Sequence, residues 1–437
     1  LYRILYPTRA RPGGSDTGEP TMMLDFHKIR RLPPYVFEQV NVTKAGLRAN
    51  GADVIDLGMG NPDLPTPPHI VEKLCETARK PDVHGYSASR GIPGLRRALA
   101  AYYDRRFGVK LDPMKEVVVT LGSKEGFANL AQAISAPGDT IIVPNPSYPL
   151  HSFGFIMAGA SIRSVEAHSP EQYLSNLGRA VRHSIPAPTA MVVCYPANPT
   201  AQVVDLDFYK EVVKFAKKHE IWVLSDLAYT EIYYGDPPPS ILQVEGAKDI
   251  AVEVTSMSKT YAMAGWRVGF AAGNERLIGA LARVKSYLDY GAFTPVQVAA
   301  AAALNGPQDC VDEQREIYRT RRNAMVESFS RAGWEIPEPK ASMFAWAPIP
   351  EPFKEMGSLE FSLRLIKEAH VAVAPGAGFG EHGDNYVRLA LVENEQRIRQ
   401  AARNVRKFLE VNGVKVKPEK EPKAPKAEAA PARKVAG

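Results

Sequence analysis

The chain has 437 residues, of which 45% are hydrophobic and 23% charged, an ordinary globular composition with enough apolar residues for a large core. No stretch approaches the ~20 consecutive apolar residues of a membrane-spanning helix. The formal charge of +6 does not describe a basic face: Lys415 to the end carries seven Lys/Arg against three Glu, and residues 1–21 carry three Arg against Asp16 and Glu19. The remaining body is near neutral, which argues against nucleic-acid binding.

Taken in chain order, residues 1–21 hold Gly, Pro and Arg without an amphipathic period or the apolar run of a targeting peptide, so a disordered extension is expected. Residues 22–60 read as an arm that joins a later, smaller domain. From about residue 114, short apolar runs alternate with helical stretches. The runs are Val117–Leu121, Thr140–Val143, Met191–Tyr195, Ile221–Ser225, Ala251–Thr255 and Val268–Ala271; the stretches include Gly126–Ile134 and Asp207–Lys218. This is the pattern of an α/β fold with a mainly parallel sheet and helices on both faces, here assigned to residues 61–300. Residues 301–414 read as a smaller α+β domain, with long helical stretches (Pro295–Asn305, Asp312–Ala332), strands near Ser342–Ala347, Val371–Ala374 and Tyr386–Val392, and a last helix Asn394–Glu410. Residues 415–437 are Lys/Pro/Ala-rich and are expected to be disordered. The three cysteines, Cys75, Cys194 and Cys310, have no metal or redox spacing and suit a reducing cytoplasm.

Ligands of such sheets collect beyond the carboxyl ends of the strands. Those ends read GSKEG, NPSYP, PANPT, SDLAY and SMSK. Lys259 in SMSKTYAMAGWRVGF sits just past a strand end, with Ser256 before it and Arg267 after it. A Schiff-base lysine needs a rigid seat and a partly neutral amine, and neighbouring hydroxyl and guanidinium groups suit a phosphate. Asp226 ends an apolar strand, where a protonated pyridine nitrogen would be a natural partner. Its alternative is a helix cap. Tyr229 could donate to a ring phenolate oxygen. Asn198, held between prolines, could reach that oxygen or a substrate carboxylate, or could be a plain turn residue. Ser123 and Lys124 offer turn amides to an anion. Tyr148 offers a face for ring stacking or is a core tyrosine. Arg388 lies in the apolar run NYVRLALV, with Val387 and Leu389 on the opposite face; it could clamp a carboxylate or face water at a sheet edge.

The order Tyr148, Asn198, Asp226-x-x-Tyr229, Ser256-x-x-Lys259, Arg267, Arg388 resembles the class I/II, fold type I aminotransferases from about Lys28 to Leu409. Within them the chain looks most like the bacterial alanine (glutamate–pyruvate) aminotransferases, through RRLPPYVF, GMGNPD, HGYSASRGIPGLRRA, KSYLDYGAFTP and EIPEPKASMFAWAPIPE. The resemblance implies pyridoxal 5'-phosphate as cofactor and no metal. It implies a homodimer with shared active sites, Tyr86 reaching the phosphate of the partner's cofactor, and Tyr35 and Gly60 lining the substrate pocket. Where aspartate-specific relatives place a partner Arg for the distal carboxylate, this chain has Tyr290. That favours a small neutral substrate such as alanine, with 2-oxoglutarate as acceptor. LL-diaminopimelate is the main alternative substrate, and a pyridoxal C–S lyase the rival chemistry.

Overall fold

The apolar runs become strands and the helical stretches between them pack on the two faces of the sheet they form. The computed structural model describes residues 26–34, 36–414 and 416. The extension 1–21 and nearly all of the tail 415–437 lie outside those residues.

In chain order the strands are β1 (Ile55–Asp56), β2 (Val117–Thr120), β3 (Thr140–Asn145), β4 (Ser161–Glu166), β5 (Pro188–Cys194), β6 (Trp222–Asp226), β7 (Ala251–Ser256), β8 (Gly269–Gly273), β9 (Phe344–Pro348), β10 (Val371–Ala372), β11 (Ala374–Pro375) and β12 (Tyr386–Ala390). The central sheet has the order β2-β8-β7-β6-β5-β3-β4. Its neighbours are parallel except β8, which runs against both β2 and β7. One face is covered by helices Pro93–Phe107, Pro170–Arg182, Leu206–His219 and Thr294–Asn305, the other by Ser123–Ile134, Pro149–Ala158 and Glu275–Leu288. Burial from both sides explains why the inner strands read as unbroken apolar runs. β4 is an edge strand in which only Val165 is buried, so its sequence SIRSVE carries no such run. Side-chain caps from Ser169, Asp205, Asn274 and Asn394 start four of the helices.

The smaller unit is built on the antiparallel sheet β11-β12-β9. β1 pairs in parallel with β10, which joins the arm before the main sheet to this unit. Its core includes Trp334, Phe344, Phe361, Val387, Leu389 and Phe408. The divide expected between residues 300 and 301 falls inside the helix Thr294–Asn305. Ala299, Ala300, Ala303 and Leu304 of that helix all pack into the core of the large unit. The next helix, Asp309–Arg331, spans both: Val311 joins the large core, while Tyr318, Met325 and Phe329 join the small one.

Candidate active site

One rim of the central sheet gathers the turns that follow β2, β3, β5, β6 and β7. Arg267 reaches the same rim because it precedes β8, whose direction is reversed. After β2 the chain turns at Gly122, with φ 85°, into the helix that begins at Ser123. A Cβ on Gly122 would lie 2.2 Å from Arg267 Nη2, and one on Gly269 2.6 Å from the Ser123 amide nitrogen. Only glycine permits that approach. Arg267, itself left-handed at φ 56°, donates from Nη1 to the Ala264 carbonyl at 2.8 Å and from Nη2 to the Leu121 carbonyl at 3.3 Å. Ser256, buried at the end of β7, accepts from the Ser258 amide at 3.1 Å and donates to the Ser258 hydroxyl at 2.8 Å. The Lys124 side chain points outward and is exposed; what it offers the turn is its backbone.

Lys259 lies between this anion-shaped turn and the smaller unit. Its Nζ donates to the Gly60 carbonyl at 2.8 Å, and its own carbonyl accepts from the Gln314 side chain at 2.6 Å. Gly60 has no room for a side chain, because a Cβ would meet Phe344 at 2.6 Å. Burial, then the positive charges of Arg388 and Arg267, bring the Lys259 amine down to about 8. Across from it, Asp226 ends β6. Its Oδ1 accepts from the Ala228 amide at 3.1 Å and its Oδ2 from His151 Nε2 at 2.9 Å. His151 is fully buried, and its Nδ1 accepts from the Ser147 hydroxyl at 2.6 Å. The carboxylate as acceptor fixes this tautomer. Cys194 is buried beside the pair; desolvation, then the Asp226 charge, push its thiol well above the ordinary range. Asp226 therefore holds the turn after β6 and is also the end of a buried three-residue relay. Burial pushes the Tyr229 phenol well above its ordinary value, so it stands as a proton donor.

Arg388 is on the middle strand of the small sheet, not on an edge facing water. It is buried, donates from Nη1 to Asn198 Oδ1 at 2.8 Å and from Nη2 to the Gly58 carbonyl at 3.3 Å, and its guanidinium lies over Phe344 at 3.9 Å and Phe379 at 4.7 Å. Asn198 from the large unit and Arg388 from the small one thus meet at the seam. Tyr148 stands half-buried at the start of its helix, its ring edge-on to His151 at 5.8 Å.

The two residues expected to serve a partner's site lie on the surface of this chain. Tyr86 is 90% exposed and Tyr290 63% exposed, and their rings pack on each other at 4.7 Å. Tyr35 lies outside the described residues. His151, Ser147, Ser258, Phe344 and Gln314 belong to the site or its support and carried no sequence signal beyond proximity to motif residues. His151 could have been found as the residue one helical turn after Tyr148.

The family model for class I and II aminotransferases matches residues 52–405. The chain belongs to that family. This aminotransferase is therefore a pyridoxal-phosphate enzyme of fold type I. It is 68% identical over 388 residues to AatC of Rhizobium meliloti (89% of this chain, 96% of the relative) and 53% identical over 390 residues to the glutamate-pyruvate aminotransferase AlaC of Escherichia coli (89% and 95%). The aminotransferase is also 41% identical over 388 residues to the LL-diaminopimelate aminotransferase of Moorella thermoacetica (89% and 99%). The solved substrate-bound BacF of Bacillus subtilis superposes with a TM-score of 0.84 at 35% identity, over 89% of this chain and 98% of that one. The donor set of the rim fits the cofactor: a lysine amine near 8, a buttressed carboxylate opposite it, and a glycine-opened turn against a guanidinium. No helix among the described residues is long and apolar enough to cross a membrane.

Proposed function

We propose that this aminotransferase moves the amino group of L-alanine to 2-oxoglutarate, giving pyruvate and glutamate, as a cytoplasmic homodimer with shared active sites. The observation that carries the substrate reading is the neutral aromatic Tyr290, in the place where aspartate-type relatives put an arginine, its ring packed on Tyr86 at 4.7 Å. The exposure of both rings on the single chain supports their facing a second copy. The glutamate-pyruvate activity named for the Escherichia coli relative agrees with it. Unpaired Cys75, Cys194 and Cys310 support a reducing compartment.

Pyridoxal phosphate, when bound, supplies the electron-accepting ring that makes a substrate Cα proton removable. The amides of Ser123 and Lys124, the Ser256 hydroxyl, Arg267 and the partner subunit's Tyr86 would hold its phosphate, and Tyr148 would offer its ring a stacking face. Asp226, aimed by its hydrogen bond from His151, would favour a proton on the ring nitrogen by opposite charge. Tyr229 and Asn198 would donate to the ring oxygen. Arg388 takes the substrate carboxylate as a planar fork, with Asn198 beside it and Tyr35, Gly60 and the partner subunit's Tyr290 lining the pocket. Lys259 would hold the cofactor through its amine and, with substrate bound, would serve as the base that takes the Cα proton and the acid that returns it. Two half-reactions through one site give ping-pong kinetics.

The test is to mix the pyridoxal form with single amino acids and follow conversion to the amino form by absorbance. Alanine and glutamate should convert it at least about tenfold faster than LL-diaminopimelate, a margin of one substrate contact. The opposite order would assign the chain to the diaminopimelate reaction of the Moorella relative. Release of a thiol, pyruvate and ammonia from an S-substituted cysteine without an oxo acid would make it a lyase.

A further inference from the structure

Away from the rim, Glu166, His168 and His382 meet across the seam between the two units. Glu166 ends β4, and His168 begins the turn into the helix Pro170–Arg182; both belong to the large unit. His382 sits in the turn Glu381–Gly383, on the approach to β12 in the small unit. One carboxylate oxygen and one ring nitrogen from each histidine all lie within 4.8 Å of one another. Glu166 Oε1 and His168 Nε2 are 3.3 Å apart. Two ligands each about 2.1 Å from a tetrahedral zinc are about 3.4 Å apart, so this pair already has ligand spacing.

The backbones that carry the rings are held in place. The His168 amide donates to Gln172 Oε1 at 2.8 Å and its carbonyl accepts from the Gln202 side chain. The His382 amide donates to Asn145 Oδ1 at 3.3 Å. The imidazoles lie edge to face with centroids 6.0 Å apart, and the Tyr386 ring closes one side of His168 at 6.1 Å. Glu381 Oε1 is 3.9 Å from His382 Nε2 and can serve as a fourth ligand after a side-chain rotation. All three side chains are partly exposed, which leaves an entry path.

We propose that Glu166, His168 and His382 bind a divalent transition metal of the zinc type, which ties the small unit to the large one. Two imidazoles and a carboxylate match the ligand preference of zinc, cobalt(II) and nickel(II), not of magnesium or calcium. The bound ion joins the end of β4 to the approach of β12, the strand that carries Arg388, so separating the units must break a metal bond. This site uses none of the residues of the transamination reaction and does not depend on the substrate reading.

The experiment titrates the holoenzyme with cobalt(II), read by its visible absorption, and with zinc, read by calorimetry and by melting temperature. One ion per chain is expected, with a zinc-dependent rise in melting temperature. His168→Gln and His382→Gln should each weaken binding by about tenfold or more and remove the rise, while basal transamination stays at the wild-type level and reports an intact fold. Absence of binding below millimolar zinc would overturn the proposal. So would equal binding by wild type and both variants, which would place the ion elsewhere, such as at His151, Cys194 and Asp226.

Discussion

At the scale of the residue, Lys259 shows why a single side chain is hard to read from its letter alone. Its amine titrates near 8 because burial removes water and because Arg388 and Arg267 disfavour a third positive charge. The neutral amine is the form that attacks the cofactor aldehyde, and it is lost as pH falls through that value. At pH 7 about a tenth of such an amine is neutral, against roughly one in 3000 for an unperturbed lysine. Cofactor-free protein should therefore capture pyridoxal phosphate at a rate that climbs through pH 8, measured by rapid-mixing absorbance. A midpoint at or above 10 would mean that the amine is hydrated and the burial argument is wrong. The sequence named Lys259 and Asp226 through their strand ends, where chemistry-bearing side chains can leave a packed sheet, and Arg388 as a charge inside an apolar strand. It did not reveal His151, because a buried helix histidine looks the same in sequence whether or not a carboxylate waits 75 positions later.

At the scale of the element, the helix Glu275–Leu288 links two active-site turns through a lysine with no exposed surface. Lys285 Nζ donates to Glu125 Oε1 at 3.2 Å and to Asp289 Oδ2 at 2.8 Å. Glu125 also accepts from the Leu121 amide at 2.8 Å, which shapes the turn after β2. Asp289 accepts from the Gly291 amide at 2.7 Å, and the Asp289 carbonyl accepts from the Ser89 hydroxyl at 2.5 Å. One ammonium thus steadies both the turn at Gly122 and the segments bearing Tyr290 and Tyr86. Lys285→Met leaves two carboxylates facing a methyl group and should cost about 3 kcal/mol, the lower end for a broken buried pair since both carboxylates keep some solvent. Melting or denaturant curves check this, and a loss under 1 kcal/mol would show the network to be ornamental. Adding Glu125→Gln and Asp289→Asn should restore much of that stability by removing the stranded charges. The legibility of elements follows the same physics of burial. β2, β3 and β5–β8 were readable because both faces are covered. β4 was not, since of its six residues only Val165 is buried; β10 lies within the strand expected at Val371–Ala374, whereas its two-residue partner β1 exists only once the arm meets the small unit.

At the scale of the whole molecule, the placement of Tyr86 and Tyr290 on the outside of one chain makes the proposed reaction a property of two. In the proposed homodimer, Lys259→Ala should destroy the site of its own subunit, and Tyr86→Ala should damage only the site of its neighbour. Mixing the two inactive or weakened variants through unfolding and refolding should form one intact site in each mixed dimer, about a quarter of wild-type activity at equal input. No recovery, with mixed dimers present by mass, would place Tyr86 in the site of its own chain. The mainly parallel sheet, its helical cover and the smaller second unit followed from the alternation of apolar runs with amphipathic stretches. The divide between the units did not: it was expected inside the helix Thr294–Asn305, which packs wholly in the large core, because an alanine-rich helix carries no mark of which core it will enter.

The reversed strand β8 has one more effect. Gly269 pairs with Thr120 of β2 on one side and with Ser256 of β7 on the other. The turn at Gly122 and the seat of Lys259 therefore stand two strand spacings apart, about 10 Å, a span set by backbone hydrogen bonding and not by any side chain. The sheet acts as a ruler. The proposed phosphate donors at its two ends, the amides after Gly122 and the Ser256 hydroxyl, are thus spaced by folding before any cofactor arrives, and binding need not bear the cost of arranging them.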